Sequence, residues 1–380
     1  MNVAHLVGVG HTPFGRHQGR GPLDLMADAA RVALEDAQLQ RRDIDGLLCG
    51  YATTLPHLML STLFAERFGL RPVYGHVVQL GGATGAAMLM LARELVRSGR
   101  CRRVLVVAGE NRLTGQTRDD AMTTLAQVGD ATYEIPNGTS VPAYYALLAS
   151  RYMYECGLTS ADLAAFPVLM RSSAGRHPGA HLREPISVAD VLASKPIASP
   201  LRVLDCCPIS DGGAAVVVAG AAGDGTRIVI AGAGQAHRHQ HLTAMADIRE
   251  TGAAESARRA LNDARLSLPD IDYLGIYDSF SITLTMLLEE IGFAPRGQAA
   301  SKAREGAFSP DGNLPLNTHG GLLSFGHCGV AGGIAHVVEA VIQLRGRAGA
   351  RQVRQPACAF VHADGGVLSS HVSLVLARQT

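Results

Sequence analysis

A chain of 380 residues, 47% of them hydrophobic, is long enough to bury a large core divided over two or three domains. Its 34 Lys and Arg balance 33 Asp and Glu, which leaves no basic footprint for a polyanion and excludes nucleic acid as an expected partner. The longest apolar runs are too short and too rich in glycine to span a bilayer, which takes about 20 helical residues. The seven cysteines lack paired short spacings and no charged-then-apolar leader is evident, so a soluble, cytoplasmic protein is expected.

In chain order, 3–17 reads as a buried strand running into a Gly/Pro loop, and 23–39 as an amphipathic helix. Gly81-Gly82-Ala83-Thr84-Gly85 is a small-residue turn that opens a second helix, and 104–109 is a strongly apolar strand. The stretch 142–159 is helical. After it, 171–200 is loop-like, with Arg171, Arg176, Arg183 and Lys195 as candidate phosphate contacts. His237, His239 and His241 alternate as strand ligands do, without a fourth ligand nearby to make a zinc site. No P-loop or dinucleotide fingerprint stands between a strand and a helix.

Part of this order repeats. Residues 30–47 align without a gap on 257–274, with eleven of eighteen positions identical, and each copy follows a similar strand, 5–17 and 227–239. Two homologous halves are therefore expected, each a strand-helix alternation around a mixed sheet, in a layered α/β architecture with paired core helices. The expected units are 1–225 and 226–380, with 111–196 as an insertion that has no partner in the second half.

The most informative stretch is 313–344. Asn317 to Gly321 is turn-like, 322–325 reads as a short apolar strand, and Gly326-His327-Cys328-Gly329 is a tight turn ahead of a helix with Ala331, Ala335, Val338 and Ile342 at helical spacing. Such a turn delivers an imidazole to the edge of a sheet beside the positive end of a helix, where open α/β sheets keep ligands.

The pattern N-x-H-G-G-x-x-x-x-G-H-x-G-x-x-G over 317–332 resembles the Gly-His segment of the thiolase superfamily. The segments 277–280, 199–220 and 81–100 are similar to its lipid-transfer-protein-like branch, so the resemblance covers practically the whole chain. It implies a thiolase-like fold of layers α/β/α/β/α with an inserted loop domain, a homodimer paired through the first half at the apolar strand 104–109, no bound cofactor, and a coenzyme A thioester as substrate. The insertion would cover the pantetheine arm, and Asn317, His319, Gly320, Gly321, Gly365 and Gly366 would line the substrate.

Two departures stand out against that family. Gly82 occupies the place of the acyl-accepting cysteine, so a helix start fit to stabilise a thiolate carries no side chain to attack a thioester. In Tyr277-Asp278-Ser279-Phe280, tyrosine replaces the oxyanion-binding histidine and Ser279 the second cysteine. His327 is retained, and its glycine-flanked turn favours a catalytic role over packing. His362, before Gly365-Gly366, is expected near the family's second catalytic position.

A cysteine-less site of this kind suits retro-aldol or aldol chemistry, in which the acyl group stays on coenzyme A and Tyr277, His327 and His362 supply acid-base help and hydrogen bonds. The resemblance extends to steroid side-chain aldolases that work with a small OB-fold partner carrying a zinc ribbon. Two alternatives remain open on the sequence: a Claisen-type acyltransferase using Cys328 or a partner-supplied group, and a non-catalytic acyl-CoA-binding subunit.

Overall fold

The computed structural model describes residues 3–138, 140–221 and 226–379; the unit boundary expected at 225/226 adjoins residues outside this set. Nine strands make one sheet: β1 (His5–His11), β2 (Gly46–Gly50), β3 (Tyr74–Val78), β4 (Arg103–Asn111), β7 (Asp211–Ala219), β8 (Arg227–His237), β9 (Tyr273–Ile276), β10 (Cys358–Gly365) and β11 (Ser370–Gln379). The short β5 (Pro196–Ala198) and β6 (Leu201–Arg202) pair with each other. The order is β3-β2-β4-β7-β1-β8-β11-β10-β9, with β1 and β8 joined at one pair, His5 opposite Val229. Read outward from that seam, the halves run β1-β7-β4-β2-β3 and β8-β11-β10-β9. They share one plan, except that the second lacks the outermost strand.

The helices that carry the duplication are α1 (Pro22–Asp36), α2 (Leu60–Phe68), α3 (Thr84–Arg97), α9 (Ala253–Ala264), α10 (Ser281–Ile291) and α12 (Val330–Leu344). α1 packs on β1, β4 and β7, and α9 on β8 and β11, so each covers the outer face of its own half. Both helices dock where the strand offers no side chain. A Cβ at Gly8 would lie 2.1 Å from the Ala33 carbonyl oxygen, and one at Gly232 would lie 2.1 Å from that of Ala260. Ala33 and Ala260 are matching positions of the repeat, so the duplication is written into the same close approach twice.

α3 and α12 touch strands of both halves and each other, which places them between the two halves of the sheet. α12 buries nearly all of its residues, as a helix that is apolar all round must. β4 and β7 read as continuous apolar runs for the same reason: helices cover both faces. The insertion is helical rather than loop-like over much of its length, with α4 (Arg118–Ala126), α5 (Val141–Cys156), α6 (Ser160–Leu163), α7 (Ala165–Gly175) and α8 (Val188–Ala193); α11 (Ala299–Arg304) packs on α6 and α7. No helix among the described residues is long and apolar enough to cross a membrane.

The missing strand has a vestige. Leu316 bridges Leu274 in parallel, and the Leu274 N–H donates to the Pro315 carbonyl at 2.9 Å. The Asn317 side chain then acts as backbone: its Oδ1 accepts from the Ile276 N–H at 2.9 Å and its Nδ2 donates to the Ile276 carbonyl at 2.7 Å. Asn317→Ala strands two buried backbone groups, each costing about 1–3 kcal/mol. The expected result is a fall of about 2 kcal/mol or more in unfolding free energy, read from the urea midpoint.

Two expectations are corrected here. Residues 321–325 form a π-helical turn rather than a strand, because Gly320 and Gly321 adopt left-handed φ of +109° and +59° and the buried Asp278 carboxylate accepts from the N–H groups of Leu322 (2.7 Å) and Leu323 (3.3 Å). These bonds replace a ladder partner. The apolar strand at 104–109 lies inside the sheet between β2 and β7 and cannot pair copies; the edge of the first half is β3.

Candidate active site

Tyr277 stands just past the end of β9, its N–H donating to the His362 carbonyl at 3.0 Å. Its ring is 5% exposed, and its hydroxyl meets His327 Nε2 at 2.9 Å, with the two rings edge to face. The His327 backbone is clamped by the segment before β7: its N–H donates to the Pro208 carbonyl at 3.0 Å, and its carbonyl accepts from Ser210 N–H at 3.0 Å. The same segment reaches Tyr277's neighbours through the Cys207 N–H, which donates to the Ser279 carbonyl at 3.0 Å. The stretch 206–210 thus ties the tyrosine motif to the histidine turn by main chain alone, which gives the unreactive pair Cys206-Cys207 its structural place.

Gly82 opens the other wall. Thr84 Oγ1 accepts from Leu80 N–H at 2.8 Å and donates to the Gly81 carbonyl at 2.7 Å, which shapes the turn before α3. A Cβ built on Gly82 would lie 2.2 Å from the Tyr277 hydroxyl oxygen and 2.4 Å from the Asp364 carbonyl oxygen. The phenol therefore occupies the space a side chain at 82 would need. The two departures from the thiolase pattern are one structural change: loss of the cysteine makes room for the tyrosine that replaces the histidine.

Other nominated residues divide by position. Gly365 and Gly366 pack against Gly81 and the Leu80 carbonyl, so the turn after β10 meets the turn before α3 beside Gly82. Ser279 is buried, its hydroxyl 3.3 Å from Thr283 Oγ1. Asn317, Gly320 and Gly321 build the frame described above and hold β9 and Asp278 in place. His319 is buried between Phe325 and His336, and neither ring nitrogen has a hydrogen-bond partner among the described residues.

His362 is not brought to the pair. Its ring is fully buried against β11, with Nδ1 2.8 Å from Ser373 Oγ and Nε2 3.1 Å from His371 Nδ1, and its carbonyl accepts from Tyr277 N–H. Cys328 is also fully buried, and burial together with the Glu110 carboxylate pushes its thiol well up, which disfavours the thiolate that an attack needs. Arg171 is 7% exposed and donates to Ser324 Oγ at 3.1 Å and the Glu184 carbonyl at 3.2 Å; it braces the π turn and is not free for a phosphate. His237 and His239 are engaged with Ser370 Oγ (2.9 Å) and the Val367 carbonyl (3.2 Å). Among the described residues no three His, Cys, Asp or Glu gather as metal ligands.

Sequence reasoning missed two charged members. Arg112, one residue past β4, brings its Nη1 to 3.5 Å from His327 Nδ1. Asp364, near the end of β10, accepts from the Tyr145 hydroxyl at 3.0 Å through Oδ2, while its Oδ1 is buried with no partner. Burial drives the Asp364 carboxyl well above the ordinary carboxylate range and raises the Tyr277 phenol well above its usual value. Burial first, then the Arg112 charge, lowers His327 to about 3, so this imidazole is neutral at physiological pH.

A duplicated α/β sheet around two core helices carries its polar site where their opening turns meet. A family model described as "Thiolase C-terminal domain-like" matches residues 234–378. The acetyl-CoA acetyltransferase of Methanothermobacter thermautotrophicus is 33% identical, over 96% of this chain and 97% of that one. The 17-hydroxy-3-oxo-4-pregnene-20-carboxyl-CoA lyase of Mycobacterium tuberculosis is also 33% identical, over 90% of this chain and 92% of that one. Among solved structures, an "Ltp2-ChsH2(DUF35) aldolase" chain superposes with a TM-score of 0.86 at 28% identity, over 99% of this chain and 98% of that one. The chain belongs to the thiolase superfamily, in the sterol-carrier-type branch whose members include aldolases.

Proposed function

We propose that this enzyme makes and breaks carbon-carbon bonds in β-hydroxyacyl-CoA thioesters by aldol and retro-aldol chemistry, without an acyl-enzyme. The observation that carries the reading is the Tyr277 hydroxyl standing where a nucleophilic side chain at 82 would be, 2.2 Å from the Cβ position. In the cleavage direction Asp364 Oδ1 takes the proton of the β-hydroxyl. The C–C electron pair moves onto the thioester as its enolate, the β-carbon leaves as a ketone or aldehyde, and the enolate is reprotonated at the α-carbon. Tyr277, supported by His327, donates to the thioester oxygen as charge develops on it.

The reading draws support from the relatives named as a pregnene-carboxyl-CoA lyase and an Ltp2-ChsH2 aldolase. The latter name pairs two components and so supports a partner subunit in the working enzyme, which the family resemblance makes a small OB-fold protein with a zinc ribbon. Dimer formation through β3, and a cytoplasmic setting in keeping with seven free cysteines, complete the proposal.

The test combines two readouts on the protein with such a partner supplied. With β-hydroxyacyl-CoA, carbonyl product is expected at unshifted protein mass; a mass increment mapped to Cys328 would replace this reading with acyl transfer. Tight thioester binding with no turnover and no adduct would leave a non-catalytic binding subunit. Asp364→Asn is expected to lose about 10² to 10⁴ in kcat. The sign of the pH dependence follows from the raised Asp364 carboxyl: the rate climbs with pH as the carboxylate forms, and that limb lies above the ordinary carboxylate range. His327, at about 3, adds no limb between about pH 5 and 8.

A further inference from the structure

Arg112 is 9% exposed, and its Nε is buried without a hydrogen-bond partner among the described residues. Two carboxylates on the strands that carry it, Glu110 and Asp211, are committed elsewhere. Glu110 accepts from the Thr53 N–H and hydroxyl and from Thr54 N–H (3.1 Å). Asp211, beside β4, accepts from the N–H groups of His17 (2.9 Å), Leu113 (2.7 Å) and Thr114 (3.2 Å). The guanidinium instead directs its charge at the site, where it is felt by Tyr277, Cys207, His327 and Cys328.

A guanidinium has five donors and no acceptor. At 3.5 Å from His327 Nδ1, Arg112 Nη1 can only donate, so Nδ1 is the bare ring nitrogen and the single imidazole proton sits on Nε2. Nε2–H then donates to Tyr277 Oη across 2.9 Å, which leaves the phenol's own O–H free. We infer that Arg112 is a positioning residue that sets the direction of a donor chain, Arg112 to His327 to Tyr277 to a substrate oxygen, and thereby makes the tyrosine a hydrogen-bond donor and not a base. Each bond in such a chain polarises the next, so a fixed positive charge reaches the thioester oxygen through two neutral groups. His327 is removed from proton abstraction, since its accessible nitrogen already carries the proton.

The tautomer is measured without substrate, so this arm stands independently of the aldolase reading. Long-range ¹H–¹⁵N spectra of protein labelled at histidine, with His327 assigned by its loss in His327→Gln, are expected to show a bare Nδ1 and a protonated Nε2, unchanged from about pH 5 to 8. Arg112→Met is expected to release the constraint, giving mixed or inverted tautomers. With β-hydroxyacyl-CoA the same variant is expected to lose roughly 10² to 10³ in kcat with KM changed only a few-fold. Arg112→Lys, which keeps a donor and the charge, should retain the tautomer and most of kcat, and it carries the test if the methionine variant does not fold. A proton on Nδ1 in the wild type overturns the inference. So does an Arg112→Met variant that keeps both tautomer and kcat, or one that raises KM alone, which would make Arg112 an anchor for a carboxylate on the acyl chain.

Discussion

Gly82→Cys is expected to lose activity by at least about 10²-fold and stability by about 1–3 kcal/mol, although it restores the residue a thiolase carries there. The backbone at 82 is one that any residue adopts, so the objection is volume alone: the new Cβ falls 2.2 Å from the Tyr277 hydroxyl oxygen and 2.4 Å from a carbonyl oxygen of β10. The ring must leave its contact with His327 to make room. Tyr277→His in the same chain shortens that side chain and is expected to recover part of the melting temperature, the remainder being the clash with the Asp364 carbonyl, which this change does not relieve. Thermal unfolding and carbonyl release on the single and double variants decide the matter. A single variant with wild-type melting and turnover would mean that the phenol does not occupy this space.

His327→Ala is expected to lose about 10² to 10³ in kcat with little change in stability. The residue is only partly buried, and the turn that carries it is held by main-chain bonds to Pro208 and Ser210, which alanine keeps. What disappears is the proton that holds Tyr277 Oη, so the phenol loses both its orientation and the charge relayed from Arg112. Steady-state kinetics beside a urea titration separate the outcomes. A loss of folding that matches the loss of rate would make the imidazole a packing residue.

Much of this was legible in the sequence because it is written in glycines and in a repeat. The duplication, the paired core helices and the turns at 81–85 and 326–329 each rest on small residues at fixed places that only a close approach explains. The stretch 322–325 was not legible: four mostly apolar residues carry no period, and the bonds that wind them into a π turn come from Asp278, more than forty positions away. His362 misled because its strand ends in the right loop while its ring is bonded to Ser373 and His371; Asp364, two residues further along the same face, stands closer to that loop. Arg112 and Asp364 belong to no motif, yet each stands at or just past the end of an apolar strand, as Tyr277 does, and that was the signal available. The tyrosine and the glycine were seen as separate departures because their contact joins positions nearly two hundred residues apart.

The unequal outer ends of the sheet bear on how copies of the chain can associate. At β9 the outward groups of Leu274 and Ile276 are already taken by Pro315, Asn317 and the Asn317 amide, so that end offers no ladder to a newcomer. At β3 no strand of the same chain follows, and Gly75 and His76 face solvent. A sheet blunted at one end and open at the other can grow by a single event, open edge against open edge, after which neither copy has an edge to give. If copies pair through β3 as proposed, the asparagine that stands in for a lost strand also works as a terminator, limiting edge-to-edge association to two copies where a fully symmetric duplication would invite a fibre.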